Sequence, residues 1–290
     1  MSKTQLEQER SLGRIAGMLG ILGVLLVLVP PIAGLGADFN KLAQDAYAER
    51  LAAFELARDD LLLSQLLQAV GLLLFAAPLF YLFQAAARRS DAVRKPLVWL
   101  TIVGPVCLAV SLILYFVAYD SVAAPFNDNF AGDVSAANDA AKEALTGETS
   151  YSIFGGLQLA GLFGLVIGVV YTSLQAMRAG LLTRFVGTLG MALGAGFIFI
   201  GPLSLAIFVL VISPLIAGFW PGPRPPAWET GEAIPWPKPG ETPTQGPEEL
   251  ADPDEFEDED GDGLPDGAAT EPQRPARRDN KKKRKRKQRS

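Results

Sequence analysis

Two glutamines, Gln68 and Gln158, stand 90 residues apart in long apolar stretches, each one turn before a glycine, Gly71 and Gly161. A carboxamide offers two N–H donors and a carbonyl acceptor. The chemistry open to such a pair is hydrogen bonding, either as glue between helices or to an uncharged solute passing between them. The same register lays Tyr81 over Tyr171 and adds two phenol hydroxyls. Acid–base, nucleophilic and metal chemistry find no comparable residues. The chain has no histidine and one cysteine, Cys107, set in an apolar run. That leaves no Ser-His or Cys-His pair, no Cys/His metal cluster and no disulfide framework. Cys107 reads as a small apolar packing residue. No catalytic residue, metal ligand or cofactor is expected, and the chain reads as a non-enzyme.

The elements that carry these residues are set by hydrophobicity. Of 290 residues 49% are hydrophobic, gathered into runs free of Asp, Glu, Lys and Arg at 15–37, 61–87, 96–119, 149–177 and 185–223. About 20 apolar residues cross the ~30 Å hydrocarbon layer of a bilayer, so each run is long enough. As one helix, 185–219 would extend roughly 50 Å, too far even for a tilted span. Gly201 and Pro202 fall at its middle, where proline disfavours continued helix. The expected fold is therefore an all-α membrane protein with six transmembrane helices at 15–36, 61–87, 97–119, 151–177, 185–200 and 203–219. A competing account keeps 185–219 as one kinked helix and places the tail outside the cell. Another reads the first run as a signal peptide cleaved near Gly36, which leaves the later orientation unchanged.

The second and fourth runs resemble each other. "LQAVGL" at 67–72 lies over "LQLAGL" at 157–162, and the register continues from Ala86 to Ala176 and from Arg88 to Arg178. Each run follows an acidic loop with a Phe-Asn pair, Phe39 with Asn40 and Phe126 with Asn127. Two spans per copy restore orientation, so the pattern implies two parallel two-span repeats and a short closing hairpin. Small residues spaced by four, Gly156, Ala160, Gly164 and Gly168, form a face that admits another backbone, as do Gly187, Gly190 and Gly194. Such faces also allow oligomers. Tyr47, Leu51 and Phe54 continue at helical spacing into Leu61, which implies an amphipathic start to the second span, packed on the second acidic loop. Lys3, Arg10 and Arg14, then Arg88, Arg89, Arg94 and Lys95, then Arg178 and Arg184 flank the same span ends, whereas loops 38–60 and 120–148 are acid-rich. Positive charge marks the cytoplasmic side, so residues 1–14 and the carboxyl terminus are expected in the cytoplasm, with the body in the plasma membrane.

Residues 220–247 are rich in proline and carry Trp220, Trp228 and Trp236 at a spacing of eight. Trp220 reads as an interfacial anchor, and the rest as an extended polyproline spacer or ligand. The stretch "RPPAWETGEAIPWP" following "FWPG" resembles the segment that closes a group of uncharacterised actinobacterial multi-pass membrane proteins. The resemblance is looser over the spans; it implies no activity, but does imply a closing hairpin followed by a cytoplasmic tail. Residues 248–290 pass from eleven acidic residues to eleven basic ones, a composition read as a disordered tail. "DEDGDGLPD" has the Asp258, Asp260, Asp262, Gly263 order of a calcium loop, but Ala269 where the motif needs a bidentate Glu. Lys281, Lys282, Lys283, Arg284, Lys285, Arg286 and Lys287 suit anionic inner-leaflet lipid, a cytosolic protein or the acidic block beside them. No aromatic residue is interleaved there, which argues against nucleic acid. The function expected is that of a non-catalytic anchor or scaffold presenting this tail to lipid or protein partners. One alternative is a facilitated path for a small uncharged solute, lined by Gln68, Gln158, Tyr81 and Tyr171. The other is an extracytoplasmic tail that binds calcium or envelope polyanions.

Overall fold

The computed structural model describes residues 3–129 and 134–236, and the acidic and basic blocks with their calcium-like stretch lie outside them. Among the described residues every regular element is helical. In chain order they are α1 (Lys3–Ile32), α2 (Ala37–Lys41), α3 (Tyr47–Leu56), α4 (Arg58–Arg89), α5 (Leu100–Asn129), α6 (Val134–Gly147), α7 (Thr149–Arg178), α8 (Arg184–Ile200), α9 (Pro202–Ala217) and α10 (Ala227–Thr230), with a 3-10 turn at Lys95–Trp99. Four helices, α1, α4, α5 and α7, are long and apolar enough to cross a membrane. At 30 to 32 residues each they reach about 45 Å, more than a hydrocarbon layer needs. The apolar α8 and α9 have 17 and 16 residues.

Close backbone approach sets how the long helices pair. Gly23 on α1 meets Gly71 on α4: a Cβ on Gly71 would lie 2.8 Å from the Gly23 carbonyl oxygen. The α5–α7 pair repeats this with Gly104 and Gly161, where a Cβ on Gly161 would lie 3.0 Å from the Gly104 oxygen. Any side chain at either crossing would push the helices apart, which is the physical reason for glycine there. The stripe that faces α5 is Gly161, Gly164 and Gly168, whereas a Cβ on Gly156 would meet nothing within 4 Å. On α8, Gly187 lies against Met177, Gly194 against Val169, and Gly190 against Phe208 of α9. This glycine face wedges α8 between α7 and α9.

The run 185–219 doubles back on itself. Thr183 opens α8 by accepting a hydrogen bond from the Val186 amide at 3.2 Å. Gly201 ends it at φ 69° and ψ −152°, a backbone region open essentially to glycine alone. Pro202 then starts α9, a position that needs no amide donor. The first helix stops at Ile32, just after Pro30 and Pro31, short of the expected 36. The fifth runs ten residues past the expected end at 119, because Phe116, Tyr119, Val122 and Ala123 form a buried face beyond the bundle.

That face belongs to a second, smaller core. Phe39, Leu51, Phe54 and Leu61 join Phe116, Tyr119, Ala141 and Leu145, so the two acidic loops pack on each other as a helical cap at one end of the bundle. The second span does not begin as one amphipathic helix; the chain breaks at Ala57 between α3 and α4. Arg50, 4% exposed, sits inside the cap. Its guanidinium lies 4.4 Å from the Phe39 ring centre and donates to the hydroxyls of Tyr115 and Tyr119 and to the Leu42 carbonyl. Asn138 ties α6 to α3 by donating to the Asp45 carbonyl at 3.0 Å and accepting from the Ala48 amide. On the surface of the cap Arg58 pairs with Asp120, and this hydrogen-bonded guanidinium holds the Asp120 carboxyl below the usual carboxylate range.

Candidate functional site

Gln68 and Gln158 line one cavity of about 260 Å³ in the cap-side half of the bundle. All six long or apolar helices contribute to its wall: Val27, Leu72, Leu108, Ser111, Leu162, Phe197 and the hairpin tip at Gly201 and Pro202. The wall is paired by the repeat. Gln68 faces Gln158 and Leu72 faces Leu162 at the offset of 90, while Val27 answers Leu108 at the offset of 81 that also relates Gly23 to Gly104. The glutamines do not bond to each other. Gln68 Nε2 donates within its own helix to Ser64 Oγ at 2.9 Å, Ser111 Oγ donates to the Leu108 carbonyl, and Gln158 makes no hydrogen bond among the described residues. The cavity thus offers one complete carboxamide and part of another to an occupant of modest size.

Tyr81 and Tyr171 lie elsewhere. Both sit toward the opposite end, Tyr81 bonded to the first turns of α1 and Tyr171 to the segment that enters α5. Tyr81 donates to the Glu9 carbonyl at 2.9 Å, and Tyr171 accepts from the Arg94 amide at 2.8 Å. Between them and the cavity the core is filled by Phe75, Leu79, Phe83, Leu165 and Phe208, none more than 1% exposed. The four residues expected to line one path are therefore divided between a cavity and two backbone clasps. Gly71 and Gly161 serve the helix crossings rather than the cavity wall.

The end away from the cap carries a feature that residue patterns did not show. Residues 220–236 do not extend as a polyproline spacer; they fold back as a strap over the helix ends. Arg224 donates to the Leu215 carbonyl at 2.8 Å and to that of Ile216, so it caps the last carbonyls of α9. Burial pulls the Arg224 pKa below its ordinary value, with Tyr81, Glu229 and Glu9 acting against that and Arg10 with it. The Trp228 indole N–H reaches the Leu181 carbonyl and that of Trp236 reaches Leu182, both at 2.8 Å. Ile234 donates its amide to Ala179, and its carbonyl oxygen occupies the place where Gly180, at φ 74°, would carry a Cβ. Trp220, the expected interfacial anchor, is itself partly buried against this core.

Beneath the strap lies an ion pair closed off from solvent. Arg89 donates to the Glu9 carboxylate at 2.7 Å, with the two side chains 0% and 4% exposed. Arg89 also donates to the carbonyls of Ala227 and Ala85. The Trp228 ring stacks on Tyr81 with centroids 6.1 Å apart and takes the guanidinium groups of Arg89 and Arg224 at 5.5 Å and 5.1 Å. Trp228 therefore sits where α1, α4, the α7–α8 elbow and the strap meet. Among the described residues no group of three His, Cys, Asp or Glu side chains is placed to hold a metal ion. Comparison with protein-family models, curated proteins and solved structures finds no match.

Proposed function

We propose that the chain is a six-span membrane anchor without catalytic activity, with its body in the plasma membrane and both termini in the cytoplasm. It presents the charge-segregated residues after Trp236 to lipid or protein partners. The observation that carries this reading is the strap. A chain that only needed to leave the membrane would require no built exit, yet 224–236 is held by two indole N–H bonds, an arginine cap and a buried ion pair. Whatever follows Trp236 leaves from a fixed place. The doubled α8–α9 hairpin supports the even number of spans, and at about 25 Å per helix each suits a slightly thinned bilayer. On balance the strap end, with Arg10, Arg94, Arg178, Arg184 and Arg224, is basic despite Glu9, and the cap end, with Asp38, Asp45, Glu55 and Asp120, is acidic despite Arg50 and Arg58, which fits a cytoplasmic strap. A reporter active on one side of the membrane, fused after Ser290, tests the reading. Cytoplasmic activity is expected; activity only outside would overturn it and direct attention to calcium and envelope polyanions.

A second reading rests on the cavity. A small uncharged solute would meet the Gln158 carboxamide, Gln68 and Ser111 there. Passage across the bundle would require Phe75, Leu79 and Phe208 to move, so the cavity fits reversible binding better than open conduction. Solute flux into vesicles that is lost in Gln68→Leu with Gln158→Leu, while the protein stays folded, would favour this reading over the anchor.

A further inference from the structure

We propose that the groove between α1 and α4 at the strap end binds a membrane phospholipid whose phosphodiester bears a hydroxylated head group. The groove measures about 250 Å³ and changes character along its length. The two helices run antiparallel, with Gly13 beside Tyr81 and Gly23 beside Gly71. Glu9 and Arg88 therefore share one end, and Leu19 and Ala77 the other. The first end is polar, lined by Glu9, Gln84 and Arg88. Beyond it the wall is apolar, and Leu12, Ile15 and Phe80 there are 52%, 54% and 37% exposed. From Glu9 to Leu19 the groove follows α1 for about 15 Å, half the thickness of a hydrocarbon layer. A polar end at the interface and an apolar end toward the bilayer centre suit an amphiphile with its chain laid along the helices.

The polar groups have bonding capacity to spare. Glu9 gives one carboxylate oxygen to Arg89 at 2.7 Å, while its other oxygen, Oε2, is buried without a hydrogen-bond partner. An acceptor left in that state is costly and calls for a donor. Arg88 is exposed and Gln84 half-buried, and neither makes a hydrogen bond among the described residues. Charge then selects the occupant. The walls of the groove and of the small void beside it set Glu9 against Arg10, Arg88 and Arg224, and Arg89 already pairs with Glu9. Glu229 acts on Arg224 as a second carboxylate, and the balance of these groups stays positive. One phosphodiester on Arg88 answers that surplus, whereas an ammonium beside Glu9 would add to it. A hydroxyl beyond the phosphate donates to Oε2 without adding charge and accepts from the Gln84 carboxamide. A choline head carries no donor. A basic pocket between membrane helices is the setting in which anionic head groups are held.

This inference rests on the membrane reading but not on the side where the carboxyl terminus lies, so its failure would leave the reporter result untouched. The test is native mass spectrometry of the full-length protein in neutral detergent. It is titrated in separate arms with phosphatidylglycerol, phosphatidylmethanol, phosphatidylethanolamine and phosphatidylcholine of the same chains. Phosphatidylmethanol keeps the phosphodiester charge and lacks the hydroxyls. Phosphatidylglycerol should be retained about tenfold better than phosphatidylmethanol and better than either zwitterionic lipid, and millimolar glycerol phosphate should fail to displace it. Arg88→Gln, at an exposed site with no bonded partner, should weaken the retention about fivefold, and Gln84→Leu to a similar extent. Arg178→Gln, the same change at the repeat counterpart of Arg88, should leave it unchanged. The proposal is overturned if phosphatidylmethanol is held as well as phosphatidylglycerol, if Arg88→Gln has no effect or no more than Arg178→Gln, or if glycerol phosphate competes with the lipid.

Discussion

Glu9 and Arg89 show what a single residue can hide. Arg89 lies in a basic connection, yet its side chain is closed off from solvent and bound to Glu9, Ala85 and Ala227. Removing one partner of a buried pair strands the other charge, at a cost of about 3–5 kcal/mol, whereas replacing both by apolar groups can be nearly neutral. Arg89→Met should therefore lower the unfolding temperature in detergent sharply. Arg89→Met with Glu9→Leu should recover much of the loss. A loss in the double variant equal to the sum of the losses in Arg89→Met and in Glu9→Leu alone would sink the account of a coupled pair. Nothing local distinguishes Arg89 from Arg88 in the sequence. The partner is 80 residues away, and a contact at that separation leaves no mark on hydrophobic periodicity. Arg50 was equally hidden, because an arginine in an acidic loop reads as a solvated charge rather than the centre of the cap.

At the scale of elements, hydrophobic length located the long helices and the break at Gly201, since membrane thickness and proline geometry act through composition alone. Finer register was not legible. A strict spacing of four turns about 40° around a helix at each step, so Gly156 drifts off the face that Gly161, Gly164 and Gly168 share. Gly71→Ala and Gly161→Ala should each force a crossing apart and lower thermal stability by about 1–3 kcal/mol, as overpacking does. Gly156→Ala, with open space around it, should change stability by less than about 0.5 kcal/mol. Thermal unfolding of the three variants in one detergent checks the ranking. At the hairpin tip Gly201→Ala should cost about 1–3 kcal/mol through backbone strain alone, because the space around it is empty. A neutral Gly201→Ala would mean that α8 and α9 are joined by some other turn.

The described residues form two similar helix pairs and the α8–α9 hairpin, closed at one end by the cap and at the other by the strap. The pairing was legible in the glutamine register, because both copies keep the glycine one turn later for the same crossing. The strap was not, since its tryptophans at a spacing of eight gave no helical or strand period and its partners lie as much as 138 residues away. Its energetics decide whether residues 220–236 stay docked on the helix ends. Trp228 stacks on Tyr81, bonds to Leu181 and covers two guanidiniums; Trp236 is bonded at Leu182 and otherwise half exposed. Trp228→Ala should release the strap along its length and open the Glu9–Arg89 pair to water. Trp236→Ala should free only its last residues. Hydrogen exchange measures this directly, through the Trp228 and Ile234 amides, which are bonded to Pro225 and Ala179. In Trp228→Ala both should exchange faster together, with protection in α4 and α7 reduced only near the elbow. In Trp236→Ala the Ile234 amide alone should quicken. If both amides stay protected in Trp228→Ala, the arginine cap on α9 holds the strap without the tryptophan. The docking of the strap would then be set by Arg224, and Arg224→Met becomes the variant that frees it.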